Sequence, residues 1–165
     1  SDVYKRQGLI LGISVGVLGF VFAAAGLHEN PPMASLFVLL AIVINVTVII
    51  LALRETRDEA TWARQLVNGV IIGAIGAVII FTSSFVMTTV VFPEYYDEML
   101  AGMAEMLAAS GLPKAEAEAQ LAALQEVTPA ASAAQGAFGT IITSIVVAAI
   151  GGFFLRKPGG EVAPS

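Results

Sequence analysis

Four long apolar stretches, separated by polar segments, dominate the pattern of hydrophobic and polar positions along the chain. They cover about residues 8–26, 34–53, 66–92 and 133–155, and none of them contains Asp, Glu, Lys, Arg or His. Each stretch is close to or longer than the ~20 residues that a helix needs to cross a bilayer. We therefore predict an all-α protein with four transmembrane helices.

The long polar segment, residues 93–132, predicts a helical hairpin outside the membrane between the third and fourth spans. Pro93 and the acidic residues after it are typical of a helix start, and Gly111 is typical of a helix end. Pro113 is expected to open a second helix that Pro129 closes. Both arms are too short and too charged to span a bilayer. Leucines suited to packing the two arms together are Leu100, Leu107, Leu121 and Leu124.

The two ends of the chain are interpreted separately from the single membrane domain, residues 8–157. Residues 1–7, SDVYKRQ, resemble translated sequencing adapter, and we interpret them as a non-native leader. The alternative is a genuine short cytoplasmic start. The first apolar stretch could also be a cleaved signal peptide ending near Ala25, although three further spans favour a membrane helix. Residues 158–165 are expected to form a disordered tail.

Composition supports a membrane protein and excludes several other classes. The chain is 57% hydrophobic and 13% charged, with a mean hydropathy of +0.85, whereas soluble domains have about 25% charged residues. A net charge of −5 provides no basic surface for nucleic acid. Because the chain has no cysteine, it can form no disulfide and no thiolate metal site.

The distribution of positive charge predicts the orientation. One predicted side of the membrane holds Lys5, Arg6, Arg54, Arg57, Arg64, Arg156 and Lys157, and the other holds Lys114. Both termini are therefore expected on the cytoplasmic side of the membrane. The hairpin 93–132 then lies outside and carries Glu94, Asp97, Glu98, Glu105, Glu116, Glu118 and Glu126.

Glycines recur at helical spacing in three of the four spans. Small residues three or four positions apart let two membrane helices approach closely. The predicted helix-packing glycines are Gly8, Gly12, Gly16, Gly69, Gly73, Gly76, Gly136 and Gly139. The alternative is the ordinary glycine richness of membrane helices.

A few polar side chains interrupt the spans and suggest either helix–helix contacts or a polar path. Asparagine in lipid must find a hydrogen-bond partner, and a neighbouring helix is the simplest one. The candidates for a polar seam are Asn45, Asn68, Thr140, Thr143 and Ser144. The hydroxyl residues near the end of the third span can bond to carbonyls of their own helix, so they need not line a pore.

No group of residues predicts catalysis, a metal or a cofactor. His28 is the only histidine and is expected to be solvated or interfacial. Met99, Met103 and Met106 fit flexible packing between the hairpin arms better than a soft-metal site. The acidic residues after Pro93 are explained by the helix dipole, although they could also bind a cation weakly.

The third span runs directly into FPEYYDEMLAGMAEMLAASGLPKAEAEAQLAALQ, and a last span rich in Gly, Thr and Ser ends in FFLRK. With four spans and a hairpin only before the last, the chain resembles the bacterial membrane family known as domain of unknown function 4199. The resemblance covers about residues 8–157. It implies the four-helix layout and brings no activity, cofactor or catalytic residue.

The leading functional hypothesis is a non-enzymatic membrane scaffold or accessory subunit, in contact with the lipid bilayer. It would pair with itself or with a membrane protein partner through the glycine faces. Proton-coupled transporters keep ionisable groups within their spans, and these spans have none. A small oligomeric transporter or channel remains the alternative, because channels can use carbonyls and hydroxyls.

Overall fold

A computed structural model describes residues 2–158, which form α-helices joined by short turns and contain no β-strand. In chain order the helices are α1 (Asp2–Ala24), α2 (Pro31–Glu55), α3 (Trp62–Val86), α4 (Tyr95–Ala109), α5 (Lys114–Gln125) and α6 (Pro129–Phe154). A short 3₁₀ helix, Leu27–Glu29, follows α1, and a π-helical turn, Met87–Val91, extends α3. The predicted all-α fold with four long apolar helices is confirmed.

Helices α1, α2, α3 and α6 are long and apolar enough to cross a membrane. Large apolar side chains cover their outward faces; Ile13, Val78 and Ile150, for example, are each more than half exposed. A smaller set, including Leu11, Ile49 and Ile72, is fully buried along the bundle axis. An apolar exterior around a packed interior is the arrangement expected for a helical bundle in lipid.

The four long helices form a ring in which α3 packs against α1 and α6, and α2 packs against the same two helices from the other side. Helices α2 and α3, although consecutive, therefore lie on a diagonal. Helices α1 and α3 run parallel, since Gly8 faces Ile75 and Gly16 faces Ser83. This order gives the bundle two ends: the hairpin end, with α4 and α5, and the termini end, with the α2–α3 loop.

Helix caps explain where α3 and α6 begin. The Thr61 hydroxyl accepts a hydrogen bond from the Arg64 N–H, and the Thr128 hydroxyl accepts one from the Ala131 N–H. Pro129 follows its cap in the first turn of α6, where a missing N–H costs nothing. The expectation that Pro129 closes the second hairpin arm was wrong, because this proline opens the last long helix.

The two turns at the hairpin end depend on glycines with positive φ. Gly26, at φ 71°, ends α1 ahead of the 3₁₀ turn, and Gly111, at φ 73°, separates α4 from α5. This left-handed conformation is easily reached by glycine and strained for most other residues. It lets the chain reverse sharply at both places.

Helix α1 begins at Asp2, so residues 2–7 form the first turns of this helix. Gln7 is buried, and the Arg6 guanidinium lies 2.8 Å from the Glu55 carboxylate. The interpretation of residues 1–7 as a leader stays a prediction. Ser1 and most of the predicted tail, residues 159–165, lie outside the described residues.

Candidate functional site at the hairpin end

A buried histidine joins the first loop to α4. His28 lies in the 3₁₀ turn with its side chain only 4% exposed, and its Nε2 is 2.6 Å from Glu98 Oε2, which accepts the hydrogen bond. Its ring stacks on that of Tyr95, with 4.4 Å between the centroids. The expectation that His28 is solvated or interfacial was wrong, because α4 folds back over the loop and covers the ring.

The other ring nitrogen of His28 and the neighbouring glutamate complete this cluster. Nδ1 of His28 is buried without a hydrogen-bond partner. Ligand atoms of His28, Glu29 and Glu98 all lie within 4.8 Å of one another. We name these three residues the His28 cluster, a group of one imidazole and two carboxylates that has the chemical character of a cation site.

Gly102 brings α4 against the backbone of the first loop. A Cβ at this position would overlap the carbonyl oxygen of Glu29. Glycine at position 102 therefore lets the α4 backbone lie directly on the loop that carries His28 and Glu29. This close contact holds two members of the His28 cluster at a fixed place beside the third, Glu98.

Burial also affects the tyrosine that covers His28. Desolvation raises the pKa of the Tyr95 hydroxyl above its ordinary value of 10.0, and the neighbouring Tyr96 adds to the increase. Tyr95 is therefore a neutral aromatic cover for the imidazole at physiological pH.

A second polar cluster, at the termini end, surrounds Gln65. The fully buried Gln65 amide donates to the carbonyls of Leu53 and Leu155, at 2.9 and 2.6 Å. Its carbonyl oxygen accepts hydrogen bonds from Thr56 Oγ1 and Asn68 Nδ2. One side chain of α3 thus satisfies free carbonyls at the ends of α2 and α6.

The predicted polar seam divides between this cluster and another one in mid-bundle. Asn68 belongs with Gln65, whereas Asn45 donates to the Thr140 carbonyl of α6 and accepts a hydrogen bond from Ser144 Oγ. Thr143 is half-buried. Both ends of the Asn45 amide are thereby paired across the α2–α6 interface, as expected for a polar contact between helices.

Most of the predicted packing glycines lie at helix contacts within the chain. A Cβ on Gly8 or Gly12 would meet Ile75 or Ile79 of α3 within 3 Å, and a Cβ on Gly16 would meet Ser83. The α3 glycines come similarly close to side chains on two neighbouring helices. The pairs are Gly69 with Ala148, Gly73 with Ser144 and Gly76 with Leu11.

Gly136 and Gly139 differ from the other glycines. A Cβ on either would meet nothing within 4 Å, and both lie on the exposed side of α6. They make no close helix contact inside the described part of the chain. Their surface, the half of α6 nearer the hairpin, is open.

An open apolar groove of about 500 Å³ lies between α1 and α3 towards the hairpin end. Its walls include Phe20, Val78 and Met87, and Gly16 and Ser83 are among its other lining residues. The lining hydroxyls bond to their own helix, with Thr82 donating to the Val78 carbonyl at 2.9 Å and Ser83 donating to the Ile80 carbonyl at 3.2 Å. The groove therefore has the apolar surface expected for contact with lipid chains.

Comparison with protein families identifies the family of this chain. The profile of the family described as "Protein of unknown function (DUF4199)" matches residues 6–157. The chain belongs to this family. Comparison of this DUF4199 protein with curated proteins and with solved structures finds no match. Together with four helices of membrane-spanning length and composition, the family indicates a multi-pass membrane protein.

Sequence reasoning missed the contact between His28 and Glu98 and the role of Gln65 in this DUF4199 protein. His28 and Glu98 are 70 positions apart, and nothing local in the sequence links them. Gln65 had a weak signal, because it is an amide placed immediately before the apolar stretch that starts at Leu66. A polar residue at that position donates hydrogen bonds to carbonyls at the ends of two other helices, which only the tertiary fold brings close to it.

Proposed function

We propose that this DUF4199 protein is a non-enzymatic membrane scaffold or accessory subunit that presents its α4–α5 hairpin to a protein partner. The observation that carries the proposal is the contrast between the two arms. Helix α4 is fixed to the first loop through the His28 cluster and Gly102, whereas α5 buries no residue. An acidic helix held away from the bundle, on an anchored support, is suited to contact with another protein.

The polar groups within the bundle support the same proposal. Asn45, Ser144 and Gln65 hydrogen-bond to other helices of the same chain, which is a structural use of these side chains. A transport path would instead need polar groups free to replace the hydration of a passing solute. The transporter or channel alternative therefore has less support than the scaffold.

The open face of α6 is the surface that we assign to association within the membrane. Gly136, Gly139 and Thr143 follow the i, i+3, i+7 spacing of one helix face, and a side chain on either glycine would meet open space. Small residues on such a face allow a second helix, from another copy or from a partner, to approach closely. The glycines of α1 and α3 are already occupied by contacts inside the chain.

The protein is placed by this proposal in a bacterial inner membrane, with both termini in the cytoplasm and the hairpin outside. The support is the concentration of Lys and Arg at the termini end. The acidic hairpin would then meet partners outside the cytoplasm.

Native mass spectrometry of the protein released from nanodiscs tests the proposal. We expect a defined oligomer or a retained protein, and we expect Gly139→Leu to dissociate it without lowering the thermal midpoint of unfolding. Phe138→Leu, a change at an exposed position of the same helix but away from the face of Gly136, Gly139 and Thr143, is the matched control and should leave the assembly intact. A monomer that carries a stoichiometric small molecule would overturn the scaffold and favour transport.

A further inference from the structure

We propose that the His28 cluster binds one divalent transition-metal cation of the Zn²⁺ class. A ring nitrogen of His28 and one carboxylate oxygen each from Glu29 and Glu98 lie within 4.8 Å of one another. Two of the ligands come from the 3₁₀ turn and the third from α4, so a bound cation would link the first loop to the hairpin. The proposal depends on this geometry alone and is independent of the scaffold function.

The imidazole is already held in place for ligation. Its side chain is 4% exposed and stacks on Tyr95 with an angle of 12° between the ring planes. A ligand that is fixed before the metal arrives loses little conformational entropy on binding. Burial also removes water that would compete for the ring nitrogen.

The unpartnered Nδ1 of His28 is the second observation that points to a ligand. Nε2 of His28 is hydrogen-bonded to Glu98, and Nδ1 is buried without a partner. Because no hydrogen bond at Nδ1 fixes the tautomer, one ring nitrogen can carry the proton while the other offers its lone pair to a cation. Most buried histidines are instead bonded at both nitrogens, because an unpaired polar atom is costly.

The two carboxylates supply negative charge, and both can be reached by a cation from solvent. Glu29 is exposed and the Glu98 side chain is 45% exposed, so both carboxylates have the freedom to move to the ~2.0–2.2 Å bond length of a Zn²⁺ ligand. Two carboxylates beside one imidazole are a donor set that suits a divalent cation. Gly102 keeps the Glu29 backbone against α4, which limits how far the two ligands can separate.

The donor set determines the class of metal. One imidazole nitrogen and two carboxylate oxygens suit Zn²⁺ and its neighbours, with water in the remaining positions. Mg²⁺ and Ca²⁺ prefer oxygen ligands alone. We therefore expect selectivity for Zn²⁺ and Co²⁺ over Mg²⁺.

Isothermal titration of the full chain in nanodiscs of zwitterionic lipid, with ZnCl₂ as the probe, tests the site. We expect one Zn²⁺ per chain. His28→Gln, Glu29→Gln and Glu98→Gln should each weaken binding by at least about tenfold, the lower end of what loss of a supporting group costs at known sites. Glu94→Gln and Glu105→Gln, which change exposed acids around the same helix, should leave the affinity unchanged.

Three results would overturn the proposal. The first is the absence of stoichiometric Zn²⁺ binding. The second is a loss of Zn²⁺ affinity in the two control variants equal to that in the cluster variants, and the third is Mg²⁺ binding as tight as Zn²⁺ binding. Should His28→Gln fail to fold, the two glutamate variants decide, because both side chains reach solvent. Co²⁺ gives an independent readout, since its visible absorption should change on ligation by His28 and not in the Glu98→Gln variant.

Discussion

Gln65 shows how one side chain can hold several chain segments together. Its amide reaches carbonyls at the ends of α2 and α6, and it is completely buried. A carbonyl at a helix end has no partner in its own helix, and leaving it unpaired in an apolar setting is costly. The termini end of the bundle is therefore held together by a polar residue as well as by apolar packing.

We predict that Gln65→Leu strongly destabilises the protein. The Leu53 and Leu155 carbonyls would lose their partner, at a cost of about 1–3 kcal/mol for each buried group. Thermal unfolding can be followed by the fluorescence of Trp62, the single tryptophan, which donates to the Ala149 carbonyl at the same end. Gln135→Leu, an exposed glutamine on α6, should leave the midpoint nearly unchanged; equal midpoints for the two variants would refute this role.

Tyr95 gives the hairpin end a predicted sensitivity to alkaline pH. Burial favours the neutral hydroxyl and raises its pKa above 10.0. The folded state therefore keeps its full stability with respect to this group below the pKa of the unfolded state, pH ~10. This stability is lost as the pH rises through the higher pKa of the folded state. Tyr95→Phe should remove this loss, and tyrosinate absorbance should show one fewer late-titrating group. Tyr96→Phe is the control, and it should keep the late-titrating group.

For single residues, the sequence showed which polar side chains need a partner better than it showed which partner each one has. A lone histidine beside a glutamate looked solvated, because its cover, Tyr95 and Glu98, comes from a helix that follows two intervening spans. Asn45 was different, since an asparagine within an apolar stretch must find a partner whichever helix supplies it. Its partners, Thr140 and Ser144, could be named as polar residues but not paired with it beforehand.

Among the helices, α3 makes the tightest contacts, and its glycines make them geometrically feasible. Gly69 and Gly73 face α6 while Gly76 faces Leu11 of α1. The periodic pattern predicted that glycines would lie on helix faces. The spacing of glycines does not show which helix lies opposite. The sequence therefore could not distinguish the glycine faces of α1 and α3, which pack against other helices of the chain, from the glycine face of α6, which stays open.

We predict that Gly12→Ala and Gly73→Ala destabilise the bundle, whereas Gly139→Ala does not. The added methyl would lie 2.6 Å from Ile79 Cβ in the first variant and 2.7 Å from Ser144 Cβ in the second. Overpacking of this kind typically costs about 1–3 kcal/mol. Denaturation in mixed micelles measures the difference. Loss of stability in Gly139→Ala equal to that in Gly12→Ala would contradict the packing assigned to these glycines.

Across the whole molecule, the ring order of the helices is the main feature that hydropathy alone could not provide. Apolar length predicted four long apolar helices, because lipid demands that length. The order in which they pack depends on side-chain contacts such as Gly16 with Ser83, so it required the structure.

A disulfide tests this order in a chain that has no cysteine of its own. In a Gly16→Cys/Ser83→Cys variant the two Cβ atoms would lie about 3.4 Å apart, close to the separation in natural disulfides. We expect rapid oxidation within one chain, seen as a mobility shift under non-reducing conditions. Gly16→Cys/Phe138→Cys joins helices on a diagonal and should not cross-link within the chain; if it does so as readily, the ring order is wrong.

The charge asymmetry between the two ends makes the orientation testable in the same cysteine-free background. The termini end carries nearly all the Lys and Arg, whereas the hairpin end carries mostly acids, so moving the termini end across the membrane would transfer many positive charges. A cysteine at Glu116 of α5 should react with a membrane-impermeant thiol reagent added to intact cells. One at Asp58, in the α2–α3 loop, should react only after the membrane is permeabilised. The reverse pattern would place the hairpin in the cytoplasm and contradict the orientation inferred from the charges.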